Sequence, residues 1–241
     1  MENYIAEVVG TMILILLGDG VVANVVLNKT KGNNSGWIVI TTGWGLAVFT
    51  AVFITGPISG AHINPAVTFG VWVRGALSTS YDVFAIGDLF GFMIAQLIGA
   101  FLGAILVWLA YFKHWEGTDP DGQLACFSTG PAIRSYGWNL VTEIIGTWML
   151  VFGVFALGGD LPVASPVAIT VGFLVWAIGL SLGGPTGYAI NPARDLGPRI
   201  AHAILPLPGK GGSDWGYSWV PVVGPLIGAA VAALTWVLLG W

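Results

Sequence analysis

The sequence predicts an all-α membrane protein with six transmembrane helices and two re-entrant half-helices, arranged as an inverted repeat. Three observations indicate this fold: the composition, six long apolar stretches, and an Asn-Pro-Ala motif that occurs twice. Of the 241 residues, 56% are hydrophobic and only 8% are charged, whereas soluble globular proteins average about 25% charged residues. The composition therefore places the chain in a lipid bilayer.

The composition also excludes several classes of function. The net charge of −4 comes from few charged residues, so the chain lacks the basic surface of a nucleic-acid-binding protein. Its single cysteine, Cys126, can form neither an internal disulfide nor a Cys-rich metal site. The sequence holds no nucleotide-binding loop or catalytic triad. We expect no enzyme activity, no cofactor, no metal and no nucleic-acid partner.

Six apolar stretches are long enough to cross a membrane, since a spanning helix needs about 20 apolar residues. These stretches are residues 4–27, 37–56, 84–112, 138–159, 163–183 and 217–241. The connectors between them are polar or rich in Pro and Gly, and they are residues 28–36, 75–83, 113–137 and 204–216. The first stretch follows Glu2 rather than Lys or Arg and is too long for a secretory signal, so we expect it to span the membrane.

Two segments, 57–74 and 184–203, are neither spans nor polar connectors. Each opens with irregular, Gly/Pro-rich chain and continues with residues compatible with a helix that is too short to span. The same motif lies in both segments, because Asn64-Pro65-Ala66 returns 127 residues later as Asn191-Pro192-Ala193. Upstream of each copy, "EVVGT" at residues 7–11 returns as "EIIGT" at residues 143–147.

The repeated motifs divide the single channel domain, residues 1–241, into halves at approximately 1–112 and 138–241. Each half holds three spans, and an odd number of spans makes the second half enter from the opposite side of the membrane. Irregular backbone at membrane depth is tolerated only where it is buried in protein or lines water. The two short segments should therefore enter from opposite faces and meet near the bilayer centre.

The Asn-Pro pairs predict the starts of the two half-helices. Asn is a favoured N-cap and Pro is a favoured first helical residue. The cap uses the side-chain oxygen and leaves the side-chain NH2 of Asn64 and Asn191 free to donate. Two helix N-termini would then aim their positive dipole ends at one point. This arrangement predicts a narrow aqueous lane whose potential opposes cations and protons.

These segments, the repeat and the six spans resemble the major intrinsic protein family, which contains the aquaporins and the glycerol facilitators. The resemblance covers essentially the whole chain, and the doubled Asn-Pro-Ala is the signature of that family. It implies an aquaporin-like fold with one pore per subunit, assembled as a homotetramer in the cell (plasma) membrane. It also implies a cytoplasmic N-terminus, although the few Lys and Arg residues of the connectors would then oppose the positive-inside rule.

The resemblance further implies a selectivity filter and a set of pore-lining carbonyls. The four filter positions, counted from the signature asparagines, are Trp44, Gly179, Tyr188 and Arg194. The carbonyls implied to line the pore belong to Gly60, Ala61 and His62 in the first loop and to Gly187, Tyr188 and Ala189 in the second.

This filter favours glycerol and similar small uncharged solutes, with some water. Arg194 supplies several fixed donors, Trp44 and Tyr188 offer an apolar wedge, and Gly179 leaves room where a strict water channel of this family is expected to carry His. Asp195 also resembles the glycerol-conducting branch, as does the Pro225-Leu226 pair in the last span. The glycerol facilitator pattern has Phe in place of Tyr188, so the order among glycerol, water, dihydroxyacetone, urea and small undissociated acids stays open.

Glu7 and Glu143 are carboxylates within predicted spans, where ionisable residues are expensive and functional by default. We expect them to accept hydrogen bonds from backbone N–H groups of the two irregular loops. Proton coupling in a secondary transporter is the alternative, and a structural membrane protein with a plugged lane is a third interpretation. His62 either lines the inner mouth or packs against neighbours, and Asp19 lies either near the outer vestibule or beside an unidentified partner.

Overall fold

The computed structural model describes residues 1–78, 83–157 and 165–241, and the regular elements in these ranges are all helices. In chain order they are α1 Glu2–Val26, α2 Trp37–Ser59, α3 Pro65–Leu77, α4 Ile86–Ala110, α5 Pro120–Ala125, α6 Tyr136–Leu157, α7 Ser165–Leu182, α8 Pro192–Ile204 and α9 Val220–Leu238. Within the described ranges, five helices are long and apolar enough to cross a membrane: α1, α2, α4, α6 and α9.

Helix α7 occupies the place of the remaining predicted span. Its apolar stretch is described over Val167–Leu182, while residues 163–164 of the predicted span lie outside the described residues. Residues 158–159, at the end of the predicted span 138–159, lie outside them as well. The all-α class and the order of spans and half-helices agree with the fold that the sequence predicts.

The half-helices α3 and α8 have 13 residues each. At 1.5 Å per residue such a helix is about 20 Å long, which is shorter than the hydrocarbon core of a bilayer, about 30 Å. Helix α3 packs against α9, and α8 packs against α4. Each half-helix therefore lies against the last long helix of the other half, so the two halves of the chain interlock.

The long helices pair in the same way within each half, α1 with α4 and α6 with α9. Glycines allow both pairs to approach closely. A Cβ atom added at Gly99 of α4 would lie 2.3 Å from the carbonyl oxygen of Val8, and one at Gly228 of α9 would lie 2.5 Å from that of Ile144. Small residues at such crossings are what membrane helices use to bring their backbones together.

Several boundaries differ from the expectation by a few residues. Helix α3 continues to Leu77, beyond the predicted segment 57–74, and residues 79–82 of the connector 75–83 lie outside the described residues. The first irregular segment begins at Gly60 rather than at residue 57, because α2 continues past Pro57 to Ser59 and ends on Gly60 in the left-handed region (φ 81°). Helices in membranes tolerate such a proline. The connector 113–137 also contains the short helix α5, whose start is capped by Asp119 accepting a hydrogen bond from the Gly122 N–H at 2.9 Å.

Candidate functional site

The two irregular loops between the long helices and the half-helices share an unusual backbone. In the first, Gly60, Ala61 and Ile63 have φ of 81°, 48° and 43°. The equivalent positions of the second, Gly187, Tyr188 and Ile190, have φ of 78°, 39° and 43°. A β-branched residue with positive φ is an outlier that costs about 1–3 kcal/mol. Such strain persists only where surrounding contacts fix the loop.

Glu7 of α1 supplies these contacts for the first loop. Its side chain is fully buried. Its Oε1 accepts hydrogen bonds from the Ser59 hydroxyl at 2.7 Å and from the His62 N–H at 2.9 Å. Its Oε2 accepts from the Ile63 N–H at 2.7 Å and from Gln96 Nε2 at 2.8 Å. Both carboxylate oxygens are thus used by donors that surround the loop.

Glu143 of α6 makes the matching set of bonds to the second loop. Its Oε1 accepts from the Thr186 hydroxyl at 2.6 Å and from the Ala189 N–H at 3.0 Å. Its Oε2 accepts from the Ile190 N–H at 2.8 Å. The structure places both glutamates where the sequence predicts backbone donors for them.

The two Asn-Pro starts meet in the interior. The Asn64 side chain caps α3 by accepting from the Ala66 N–H at 2.8 Å, and the Asn191 side chain caps α8 by accepting from the Ala193 N–H at 3.0 Å. Hydrogen bonds also join the two segments to each other. Asn64 Nδ2 donates to the Ile190 carbonyl at 2.8 Å, and Asn191 Nδ2 donates to the Ile63 carbonyl at 2.9 Å.

The sequence predicts that the caps leave the side-chain NH2 groups of Asn64 and Asn191 free to donate, and the cross-loop bonds use part of that capacity. One bond is made by each NH2, and an amide NH2 has two donor hydrogens. Each asparagine donates to a carbonyl of the other loop because the buried carbonyls of Ile63 and Ile190 each require a hydrogen-bond donor. Among the described residues, the second N–H of each asparagine is left without a hydrogen-bond acceptor.

A cavity of about 280 Å³ passes both asparagines. It extends from Trp44, Tyr188 and Arg194 to Arg74 and Phe155. One side is formed by residues 60–64 and 187–191, which include all the positions implied to present carbonyls. The other side is aliphatic and includes Leu14, Val48, Val52, Val67, Val71 and Val175. The lane is therefore polar along one side and apolar along the other.

Three of the four implied filter positions, Trp44, Tyr188 and Arg194, line this cavity, and the fourth, Gly179, lies behind the Tyr188 ring. The guanidinium carbon of Arg194 lies 4.3 Å from the ring centroid of Trp44. The ring of Tyr188 lies against the glycine face of α7, so that a Cβ atom at Gly179 would be 2.8 Å from Tyr188 Cζ. Trp37 supports this arrangement, because its Nε1 donates to the Gly179 carbonyl at 3.1 Å.

A family model described as "Major intrinsic protein" matches residues 1–236. The chain belongs to this family. It is 61% identical over 234 residues to a probable glycerol uptake facilitator protein of Thermotoga maritima, with 97% of both chains covered. It is 55% identical over 239 residues to a glycerol uptake facilitator protein of Streptococcus pneumoniae, with 99% of both covered.

A solved structure agrees with this assignment. The fold is similar to the X-ray structure of the aquaglyceroporin from Plasmodium falciparum, with a TM-score of 0.84 and 29% identity over 98% of this chain and 94% of that one. The protein is therefore a multi-pass integral membrane channel of the major intrinsic protein family.

Besides the Trp44 ring, Arg194 has two further partners. Arg194 Nη1 donates to the Phe127 carbonyl at 3.2 Å, and the same nitrogen lies 3.2 Å from Oδ1 of Asp19. Asp19 is fully buried. Of the two alternatives that the sequence leaves for Asp19, the structure gives it a partner, and that partner is Arg194.

The sequence analysis missed a buried clamp next to the filter. Arg199 Nε donates to Asp195 Oδ1 at 2.8 Å, and Asp195 Oδ2 accepts from the Thr129 N–H at 2.8 Å. Arg199 also donates to the carbonyls of Ser213 at 2.7 Å and Thr129 at 3.0 Å. Helix α8 thereby fixes the loop before α6 and the loop before α9. In the sequence, the local sign of this contact is the spacing of Asp195 and Arg199, which are four residues apart on one helix and can therefore pair.

His62 satisfies both interpretations that the sequence offers. It lines the lane, and its ring packs edge-on against Phe92 with centroids 5.3 Å apart. Its Nδ1 lies 3.1 Å from the Thr68 hydroxyl, which fixes the direction of the ring.

Proposed function

We propose that this protein is a passive channel that conducts glycerol and similar small uncharged solutes, with some water, and excludes ions and protons. The observation that carries the proposal is the two-sided lane, with loop residues on one side and aliphatic side chains on the other. A polyol has hydroxyl groups on one edge and a carbon chain on the other, so it matches both sides at once. The names of the bacterial relatives support the same solute.

We assign the selectivity filter to Trp44, Gly179, Tyr188 and Arg194. The Arg194 guanidinium donates to solute oxygens, while the Trp44 and Tyr188 rings contact the carbon chain. The space that the sequence predicts Gly179 to leave open is taken by the Tyr188 ring, because a Cβ atom at Gly179 would lie 2.8 Å from Tyr188 Cζ. Because the filter binds weakly on both its polar and its apolar sides, a small neutral solute can enter and also leave.

The exclusion of cations is assigned to the paired half-helices. The N-termini of α3 and α8 meet through the side chains of Asn64 and Asn191, and each N-terminus carries about half a positive charge. The free amide hydrogens orient a passing hydroxyl or water, which interrupts a continuous chain of water molecules.

A proton-coupled transporter is the second candidate, because buried carboxylates occur in matching positions of the two halves. Two observations favour a channel instead. The oxygens of Glu7 and Glu143 already accept hydrogen bonds from loop donors, and neither residue lines the cavity. We further propose that the channel is a homotetramer in the plasma membrane, with lipid around its apolar outer surface.

The test is the shrinkage and re-swelling of proteoliposomes in a stopped-flow instrument after mixing with glycerol, with and without a proton gradient. We expect glycerol entry at a rate that is proportional to its concentration and independent of the proton gradient. Protein-free vesicles provide the control. Acceleration by the proton gradient or saturation at low glycerol concentration would favour the transporter, and no entry at all would indicate a plugged lane.

A further inference from the structure

Helix α1 forms the back of the proposed filter through Gly18 and Asp19. A Cβ atom at Gly18 would lie 2.3 Å from Cζ3 of Trp44, so the indole ring packs directly on the backbone of α1. The next residue, Asp19, lies beside the Arg194 guanidinium that is in contact with the same ring. One short stretch of α1 therefore touches two of the filter side chains.

In the interior, the Asp19 carboxylate has Arg194 as its partner. Its side chain has no solvent exposure, and neither oxygen has a hydrogen-bond partner among the described residues. Among the residues that the structure describes, the ion pair with Arg194 Nη1, at 3.2 Å, is its one close charge contact. The nearby Arg199 is already engaged by Asp195. Because a buried charge is costly unless it is paired, a carboxylate at this position requires the charge of Arg194.

We propose that Asp19 is a specificity-determining residue that acts on the filter through Arg194, an inference that rests on the proposed function. Its negative charge compensates the guanidinium, and its position keeps Nη1 turned toward Asp19 and the Phe127 carbonyl. The remaining N–H donors of Arg194 then face the lane. The filter donates hydrogen bonds without a net charge, so neutral solutes are released readily and small anions are not trapped.

The test compares wild type with Asp19→Asn, which keeps the size of the side chain and removes its charge. We expect glycerol permeability to fall by about tenfold, the effect of about 1.4 kcal/mol on a rate. Water permeability should change by less than about twofold, because a water molecule makes fewer contacts with Arg194 than glycerol does. We also expect sodium nitrate to inhibit glycerol entry in the variant but not in wild type. Sodium gluconate at equal concentration, whose anion is too bulky for the lane, controls for ionic strength.

A second substitution separates charge compensation from packing. In Asp19→Asn/Arg194→Val no charge remains in the filter, so inhibition by nitrate should disappear. If Asp19→Asn does not assemble, Asp19→Val is tested in its place, since it removes the charge without adding a polar group. Asp88→Asn, which removes a carboxylate in the first turn of α4, should leave glycerol permeability and the response to nitrate unchanged.

Equal losses of glycerol and water permeability in Asp19→Asn, or nitrate inhibition that persists without Arg194, would overturn the proposal. Failure of the proposed function looks different, because wild-type vesicles would then pass no glycerol. In that case inhibition of water flux by nitrate, again expected only in Asp19→Asn, still tests the compensation of charge.

Discussion

The side chain of Tyr188 occupies the space that any larger residue at position 179 would need. A Cβ atom at Gly179 would lie 2.8 Å from Tyr188 Cζ and 2.9 Å from its hydroxyl oxygen. In Gly179→His, the imidazole must push the Tyr188 ring into the lane and narrow it. We expect glycerol permeability to fall by about tenfold or more, a typical size for steric discrimination, while water still passes. Stopped-flow measurement of both solutes on the same vesicles checks this.

Tyr188→Phe is the matched control for that substitution. The Tyr188 hydroxyl is buried and has no hydrogen-bond partner among the described residues, so its removal should change glycerol permeability by less than about twofold. If Gly179→His conducts glycerol at the wild-type rate, the assignment of the filter is wrong.

Glu7 and Glu143 hold strained loops, and their substitution should therefore act through stability. In Glu7→Gln, the new NH2 would face donors such as the His62 and Ile63 N–H groups, and each buried donor left unpaired costs about 1–3 kcal/mol. We expect a lower unfolding temperature in detergent together with reduced glycerol flux. Glu143→Gln should behave alike, because Glu143 binds the equivalent N–H groups.

Glu2 is exposed on the same helix. Glu2→Gln therefore serves as the control for Glu7→Gln and should leave both quantities unchanged. A proton-coupled mechanism makes the opposite prediction for Glu7→Gln. The variant would then keep its thermal stability and lose only a response of transport to pH.

Individual residues differ in how far the sequence alone reveals them. Asn64 and Asn191 stand out because their motif repeats in the sequence, whereas the role predicted for Arg194 comes from its spacing in the family that the sequence resembles. The pairing of Asp19 could not be read from sequence, since its partner comes from a helix that is distant along the chain. The role of Arg199 depends in the same way on carbonyls of two separate loops, which no local pattern encodes.

At the scale of the helices, the packing of α1 on α4 depends on the absence of a side chain at Gly99. Its added Cβ would lie 2.3 Å from the Val8 carbonyl oxygen, and a backbone atom cannot move aside as a side chain can. We expect Gly99→Ala to separate the helices and to lower the yield of monodisperse protein on size-exclusion chromatography. Gly87→Ala is the control on the same helix, because a Cβ there meets nothing within 4 Å. Equal behaviour of the two variants would disprove this account.

The elements themselves were predictable to different degrees. Long apolar runs located the spanning helices, since every span needs about 20 apolar residues. The end of α2 was misplaced because Pro57 looked like a helix breaker, although the loss of one N–H is tolerated near the end of a membrane helix. Helix α5 was missed inside a polar connector, although the Asp119-Pro120 pair is a typical helix start.

At the scale of the whole molecule, the outer surface is suited to contact lipid or other subunits, whereas the lane is enclosed within one chain. Large hydrophobic side chains are exposed on the long helices, such as Phe53 on α2 and Phe90 on α4, where lipid or neighbouring subunits can cover them. The lane is lined from within by both halves of one chain, from Leu14 to Arg194. Because the half-helices interlock with the opposite halves, each chain should form a complete pore without help from a partner.

This arrangement predicts the behaviour of mixed oligomers. Native mass spectrometry should give a complex of four times the 25.2 kDa of one chain. When wild-type and Gly179→His chains with different tags are purified together, glycerol flux should fall in proportion to the fraction of variant chains, because each lane conducts independently. A pore shared between subunits would instead lose flux steeply after the first variant chain. The shape of this relation, linear or steep, decides whether the lane within one chain is the route of the solute.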